Sequence, residues 1–359
     1  GSLIIGFFVF ASALLVFGGG KFLVDFCMAL LGHARGGAAK VACIASGLVG
    51  MLSGSAVANV ATVGPFTIPM MKKGGYKPED AAAIEACASS GGAFMPPVMG
   101  SVAFMMAEFL EVPYADIVVS AFAPAFLYYF ALVLASDATC VKSDLKGLPK
   151  NELPKLKGTL LQGWIYILPF GVLIYLLLVL RMEAKAPFYA TAVIVVLLLF
   201  LRRLKWGDIR KFLQASGVAI AEVVALLAAI GLIIGSLSHT GVSISLSREL
   251  LALSGGNILA MLTLGFIAAF ILGMGMSIGG VYVIVAVTMA PAMIEAGLDP
   301  FAAHLFVIYG AMISYITPPV AIAAIVAAGI AGADPMKTGI RATRLGCVLY
   351  VIPFVFALT

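Results

Sequence analysis

Four short interruptions carry the chemistry that this sequence offers. Ser53-Gly54-Ser55 and Gly273-Met274-Gly275 break two apolar runs, and Pro96-Pro97 and Pro318-Pro319 break two more. A proline pair removes two backbone donors and frees the carbonyls of the preceding turn. A Ser-Gly-Ser or Gly-Met-Gly tip turns the chain sharply and exposes further backbone groups. In hydrocarbon every such group needs a partner, so irregular backbone persists only when buried in protein or lining a cavity. Freed carbonyls and hydroxyls are hard oxygen ligands suited to a cation such as Na+. Helix N-termini at the same breaks turn partial positive charge toward an anion. The chemistry on offer is reversible binding of a cation and an anion. Covalent catalysis has less to stand on. Ser55 has no histidine at comparable depth, and neither an HExxH pattern nor a pair of intramembrane aspartates is present. The chain is therefore not read as an enzyme, an intramembrane hydrolase being the distant alternative.

The elements that position these breaks follow from composition. The 359 residues are 62% apolar and only 11% charged, against about a quarter charged in a soluble globular chain. Mean hydropathy is +1.13. These values exclude a cytosolic enzyme, a disordered chain and a nucleic-acid binder, and define an all-α polytopic membrane protein surrounded by lipid. Ordinary spans are read at 2–17, 114–135, 160–180, 187–201, 217–238 and 338–358, with amphipathic pieces at 21–33 and 242–253. The interrupted runs are 39–71, 78–110, 256–294 and 300–331. Nineteen of the 22 Lys and Arg fall in 18–40, 72–79, 136–159, 202–212 and 334–344, which places those segments together on the cytoplasmic side. That topology requires 39–71 and 256–294 each to enter and leave on one side, as re-entrant hairpins. It also accounts for the net charge of +5 without a nucleic-acid partner. The five cysteines sit singly and read as small apolar residues. The chain reads as a fragment of a longer protein.

A fixed offset of 222 residues relates the two halves. It carries Ser55 onto Ser277, Pro69 onto Pro291, Gly75 onto Gly297 and Pro78 onto Pro300, and it carries Pro96-Pro97-Val98 onto Pro318-Pro319-Val320 and Pro113 onto Pro335. A lone proline in a membrane helix is usually a kink and a lone glycine a packing contact. The whole set in one register reads instead as a repeat. An odd number of intervening spans inverts the second copy, the layout of secondary transporters that bind at the repeat interface. The organisation expected is a first repeat over 1–135 (hairpin 39–71, broken helix 78–110) and a cytoplasmic linker over 136–159. Scaffold spans and a second repeat follow over 160–359 (hairpin 256–294, broken helix 300–331). Each repeat offers one hairpin tip facing one broken helix. Glu85, inside the first broken helix, is a functional candidate on position alone, set against pairing with Lys72 or Lys73 at the hairpin base. Glu222 is placed near the cytoplasmic end of its span.

SGSAVANVATVGPFTIPMMKKGGY, ASSGGAFMPPVMG and HLFVIYGAMISYITPPVAIAAIVAAGIAGADPMKTGIRA resemble the large membrane subunit of TRAP transporters. The closest subtype is the TAXI type, often a fused permease carrying the small membrane domain on the same chain. The resemblance runs over essentially all of the sequence. It implies a Na+-driven importer of the elevator type in a bacterial or archaeal inner membrane. A periplasmic binding protein would deliver an organic acid anion, and the small membrane subunit, separate or fused, would brace the scaffold. No organic cofactor is implied, and Na+ is the coupling ion. By this resemblance Ser53, Gly54, Ser55 and Asn59 form the first tip, Ser89, Ser90, Gly91 and Gly92 precede its partner break, Gly273, Gly275 and Ser277 form the second tip, and Ser314 and Thr317 precede the last break. The Na+ candidates are Ser53, Gly54, Ser55, Ser90, Gly92, Gly273, Gly275, Ser277, Ser314 and Thr317. The substrate candidates are Ser55, Asn59, Met95, Pro97, Ser277 and Thr317. The chain departs from the family pattern at Ile278 and Gly279 of the second tip, at Tyr315 where relatives often have Asn, and at Ala93 where they often have Gln. The nearest alternative function is a carboxylate symporter with a similar hairpin layout and no binding protein.

Overall fold

A computed structural model describes residues 2–359, as helices with no strand among the described residues. Helix α1 (Ser2–Val16) turns by 65° into α2 (Gly19–Leu31) at Gly18, whose φ of 101° suits glycine. The first hairpin follows as α3 (Gly37–Ser53) and α4 (Ala56–Lys73), joined by a two-residue tip. The broken helix is α5 (Pro78–Gly92) and α6 (Ser101–Leu110), separated by a loop with a cis Pro96–Pro97 bond. Helix α7 (Tyr114–Lys142) runs well past the span expected to end at 135, because Ser136–Val141 contains no helix breaker and leaves the apolar layer still helical. Helix α8 (Leu156–Ile174) continues in a π turn to Val179, and α9 (Ala186–Phe200) packs beside it.

The second half begins with α10 (Trp206–Thr240) and α11 (Val242–Ser254). Helix α10 starts eleven residues before the expected span. The second hairpin is α12 (Ile258–Gly273) against α13 (Ile278–Thr288) and α14 (Ala290–Glu295). Its broken partner is α15 (Pro300–Ile313) and α16 (Ile322–Ala331), with a cis Pro318–Pro319 bond between them. The expected last span is bent by 63° at Gly346, between α17 (Pro335–Leu345) and the 3-10 turn that leads to α18 (Ile352–Leu358). Tyr114–Lys142, Leu156–Val179 and Trp206–Ser236 are individually long and apolar enough to cross a membrane. Residues 2–17 and 187–201, expected as full spans, form helices of 15 residues each.

The buried core is rich in alanine and glycine where α3, α4, α5 and α16 meet. Small residues let helices approach closely, the main source of helix association when lipid surrounds the protein. A Cβ placed on Gly92 of α5 would lie 2.5 Å from the Gly50 Cα of α3, so this crossing needs glycine.

The charged ends sort to two faces. Arg35 and Lys40 reach Asp137 at 2.6 and 2.7 Å, Lys73 reaches Glu152 at 3.2 Å, and Arg341 pairs with Asp80. Lys72 donates to the Ala331 carbonyl at 2.8 Å. Lys21, Lys155 and Arg203 line one cavity. These contacts gather all five basic segments on a single face. On the other face Arg181 pairs with Asp116 at 2.7 Å, and Glu183 accepts from the Tyr114 and Ala115 N–H groups. The first hairpin starts and ends on the basic face. The second ends beside α15, whose His304 ring lies 6.3 Å from Phe109 near the opposite end of α6.

Candidate functional site

Two serines define the site. Ser55 is the N-cap of α4 and accepts from the Ala58 N–H at 3.3 Å. Ser277 is the N-cap of α13 and accepts from the Gly280 N–H at 3.2 Å. A serine cap satisfies one of the first backbone donors of a helix and leaves others free. Both tips border one cavity of about 250 Å³, lined by Ser53, Gly54, Ser55 and Ala56 from the first tip and Ser277, Ile278 and Gly279 from the second. The donor-rich starts of α4 and α13 therefore open on a common space.

Each tip is fixed against its partner break. Gly54 has a φ of 64°, and a Cβ there would lie 2.8 Å from the Gly100 Cα, just beyond the Pro96–Pro97 bond. Only glycine combines that backbone conformation with that approach. Ser53 turns its hydroxyl back to the Gly50 carbonyl at 3.2 Å. At the second tip the Tyr315 hydroxyl donates to the Met276 carbonyl at 3.2 Å, holding the loop 274–277 against the last break. Tyr315 also lines the cavity. The residue that departs from the family pattern thus supplies the tip with a hydrogen bond.

Of the candidates, Ser53, Gly54, Ser55 and Ser277 meet in the cavity. Gly273 packs on Ser314, whose hydroxyl donates to the Ala311 carbonyl at 2.7 Å. Gly275 is exposed at the second tip. Ser90 is buried and donates to the Ala86 carbonyl at 2.8 Å, and Gly92 is taken up by the crossing with Gly50. Met95 and Pro97 do not line the cavity, and the Pro97 carbonyl accepts from the Tyr114 hydroxyl at 3.1 Å. Thr317 shares a hydrogen bond with the Tyr350 hydroxyl.

Asn59 lies in the core rather than on the cavity, because it is one turn into α4. Its amide Nδ2 donates to the Ser46 carbonyl at 2.8 Å and to the Ser89 hydroxyl at 3.0 Å. Its Oδ1 is buried and has no partner. Ser89 and Ser46 donate in turn to Glu85 Oε1 at 2.8 and 2.6 Å, and Thr67 meets Oε2 at 2.6 Å. Three hydroxyls on three helices, rather than Lys72 or Lys73, hold this carboxylate. Both lysines are engaged elsewhere, on Ala331 and Glu152.

Glu222 and Ser101 also line the cavity. Glu222 was expected near a span end. It lies at the middle of α10, which starts at Trp206, and borders the cavity with both tips. The signal was present in the sequence as an ionisable residue inside an apolar run. Among the described residues no group of three His, Cys, Asp or Glu is arranged to hold a metal, and the side-chain oxygens that line the cavity belong to Ser53, Ser55, Ser101, Ser277, Tyr315 and Glu222.

Two helix–tip–helix hairpins, two broken helices and a shared cavity between the tips define a polytopic membrane carrier. Residues 2–359 match the family described as "Tripartite ATP-independent periplasmic transporter, DctM component", and the chain belongs to that family. It is a transporter permease component and not an enzyme. It is 26% identical over 335 residues to the 2,3-diketo-L-gulonate TRAP transporter large permease protein of Escherichia coli, covering 92% of this chain and 77% of that one. It is 26% identical over 365 residues to the C4-dicarboxylate TRAP transporter large permease protein of Pseudomonas aeruginosa, covering 99% and 83%. A fused isethionate TRAP transporter permease of Oleidesulfovibrio alaskensis is 25% identical, matching 92% of this chain and 52% of its own length.

Proposed function

We propose that this chain imports a small organic acid anion across a bacterial inner membrane, driven by a Na+ gradient through an elevator movement of the hairpins and broken helices. A periplasmic binding protein delivers the anion, and a small membrane subunit, fused or separate, braces the scaffold. The observation that carries the proposal is the convergence of both capped tips on one cavity. Two helix starts aimed at the same space favour negative charge there. At about 250 Å³ the cavity is smaller than the roughly 300–1,000 Å³ typical of pockets for drug-sized ligands, which matches a small anion. The names of the relatives, a diketogulonate, a C4-dicarboxylate and an isethionate carrier, support an organic acid as cargo.

Na+ enters this reading through the oxygens around the tips. The hydroxyls of Ser53 and Ser55 at one tip and Ser277 at the other are hard donors of the kind Na+ takes. One turn deeper, in the core and off the cavity, the Oδ1 of Asn59 is a further oxygen with no proton donor to satisfy it. Glu222 puts a carboxylate on the cavity wall, so an anion gains most there when cations accompany it.

Uptake of labelled carboxylates into proteoliposomes, with and without the periplasmic partner and an inward Na+ gradient, tests the proposal. Uptake that needs both supports it. Uptake that needs the gradient alone favours a symporter working without a binding protein, and uptake that ignores the gradient overturns the coupling.

A further inference from the structure

We propose that the bend between α1 and α2 holds an anionic glycerophospholipid, with its headgroup on the basic face and an acyl chain between the scaffold and the first hairpin. Two cavities carry this inference. The first, of about 360 Å³, is lined by Lys21, Asp25, Lys155, Gln162, Tyr166 and Arg203. Its three cations come from three separate basic segments, and none of them makes an ion pair among the described residues. Asp25 is the single carboxylate, so the lining is net positive by two. The second cavity, of about 440 Å³, is apolar. It runs between Leu15, Val24 and Met28 on α1–α2 and Val63, Phe66 and Met70 on α4.

Gly18, Lys21 and Asp25 border both cavities. A ligand that fills both must be anionic at one end and aliphatic at the other, and the junction must lie at the membrane interface. A phospholipid meets all three conditions, and basic pockets between helices on the cytoplasmic side suit such headgroups. Phosphate would sit among Lys21, Lys155 and Arg203. Asp25 would accept from a headgroup hydroxyl, which favours phosphatidylglycerol. The Tyr166 hydroxyl is already committed to the Phe17 carbonyl at 2.5 Å, so it shapes the wall instead of binding the headgroup. The apolar cavity has one wall on the hairpin and one on α1–α2, so its occupant would bear on movement of the hairpin.

Native mass spectrometry of the delipidated full-length permease in detergent tests this, with phosphatidylglycerol, phosphatidylcholine and glycerol phosphate as probes. The expected result is retention of phosphatidylglycerol over phosphatidylcholine and no retention of glycerol phosphate. Lys21→Gln with Arg203→Gln should weaken phosphatidylglycerol binding by roughly fivefold per charge removed. Both side chains are exposed, so the pair is compatible with folding. Thr62→Trp, on the exposed side of α4 at the apolar cavity, should displace the same lipid through its acyl chain. Equal retention of the two lipids, binding of glycerol phosphate as tight as that of phosphatidylglycerol, or affinity unchanged in both variants would each overturn the proposal.

Discussion

Glu85 shows how a single side chain ties three helices together. Its carboxylate takes hydroxyls from Ser46 on α3, Thr67 on α4 and Ser89 on α5. Leaving buried donors without an acceptor costs about 1–3 kcal/mol for each group. With Ser46 and Ser89 both left without an acceptor, Glu85→Leu should destabilise the hairpin by roughly 2–6 kcal/mol, whereas Glu85→Gln keeps an acceptor for Ser46 and Ser89 and a donor for Thr67, which can pass its own proton to the Val63 carbonyl at 3.2 Å. Thermal unfolding in detergent checks this, and equal losses in the two variants would contradict it. Glu222 acts differently, as a charge on the cavity wall. Removing one like-charge contact, worth about 1 kcal/mol for two charges about 4 Å apart at the dielectric of water, should raise anion affinity at low Na+ by about fivefold in Glu222→Gln. Calorimetric titration of the anion at low and high Na+ measures it. The position of Glu85 inside an apolar run was legible in the sequence. Its partners were not, because they lie 39, 18 and 4 residues away on three elements whose rotation only packing fixes.

At the scale of elements, glycine and proline carried most of the readable information. The breaks at 93–100 and 314–321 fall where the proline pairs stand, and the tips fall at Gly54-Ser55 and 274–277. The hairpins themselves were read from the placement of Lys and Arg, and the glycines and prolines marked only where each run is interrupted. Helix lengths were less legible, since a helix that leaves the apolar layer keeps its backbone bonds in water. That is why α7 reaches Lys142 and α10 begins at Trp206. The α3–α5 crossing supplies a direct test. Gly92→Val must push Gly50 away and should cost about 1–3 kcal/mol, the usual range for overpacking. Gly171→Ala in α8, where a Cβ meets nothing within 4 Å, should be neutral or stabilising by about 0.5–1 kcal/mol. Unfolding midpoints for the two variants would separate a packing requirement from a general intolerance of substitution.

At the scale of the whole molecule, charge distribution and the 222-residue offset describe one arrangement. The offset carries α4 (Ala56–Lys73) onto residues 278–295, the combined length of α13 and α14. It also carries one cis proline pair onto the other, and the left-handed Met99 onto the left-handed Ala321. The basic segments meet on one face because the helices between them return there, and each hairpin has its base on a different face. The two tips share a cavity lined by residues of both halves. The sequence contained the offset and the charge segregation, but the convergence of Ser55 and Ser277 depends on how the halves pack.

The Na+ dependence of uptake in proteoliposomes, measured for the wild type, Ser55→Ala, Ser277→Ala and the double variant, tests that convergence most directly. Each single change removes a tip hydroxyl and a helix cap worth about 0.5–2 kcal/mol, and should raise the Na+ concentration for half-maximal uptake severalfold. Because both tips act on one cavity, the double variant should shift by less or more than the product of the single shifts, as residues sharing a site do. Na+ activation unchanged in all three variants, with folding intact, would contradict the account.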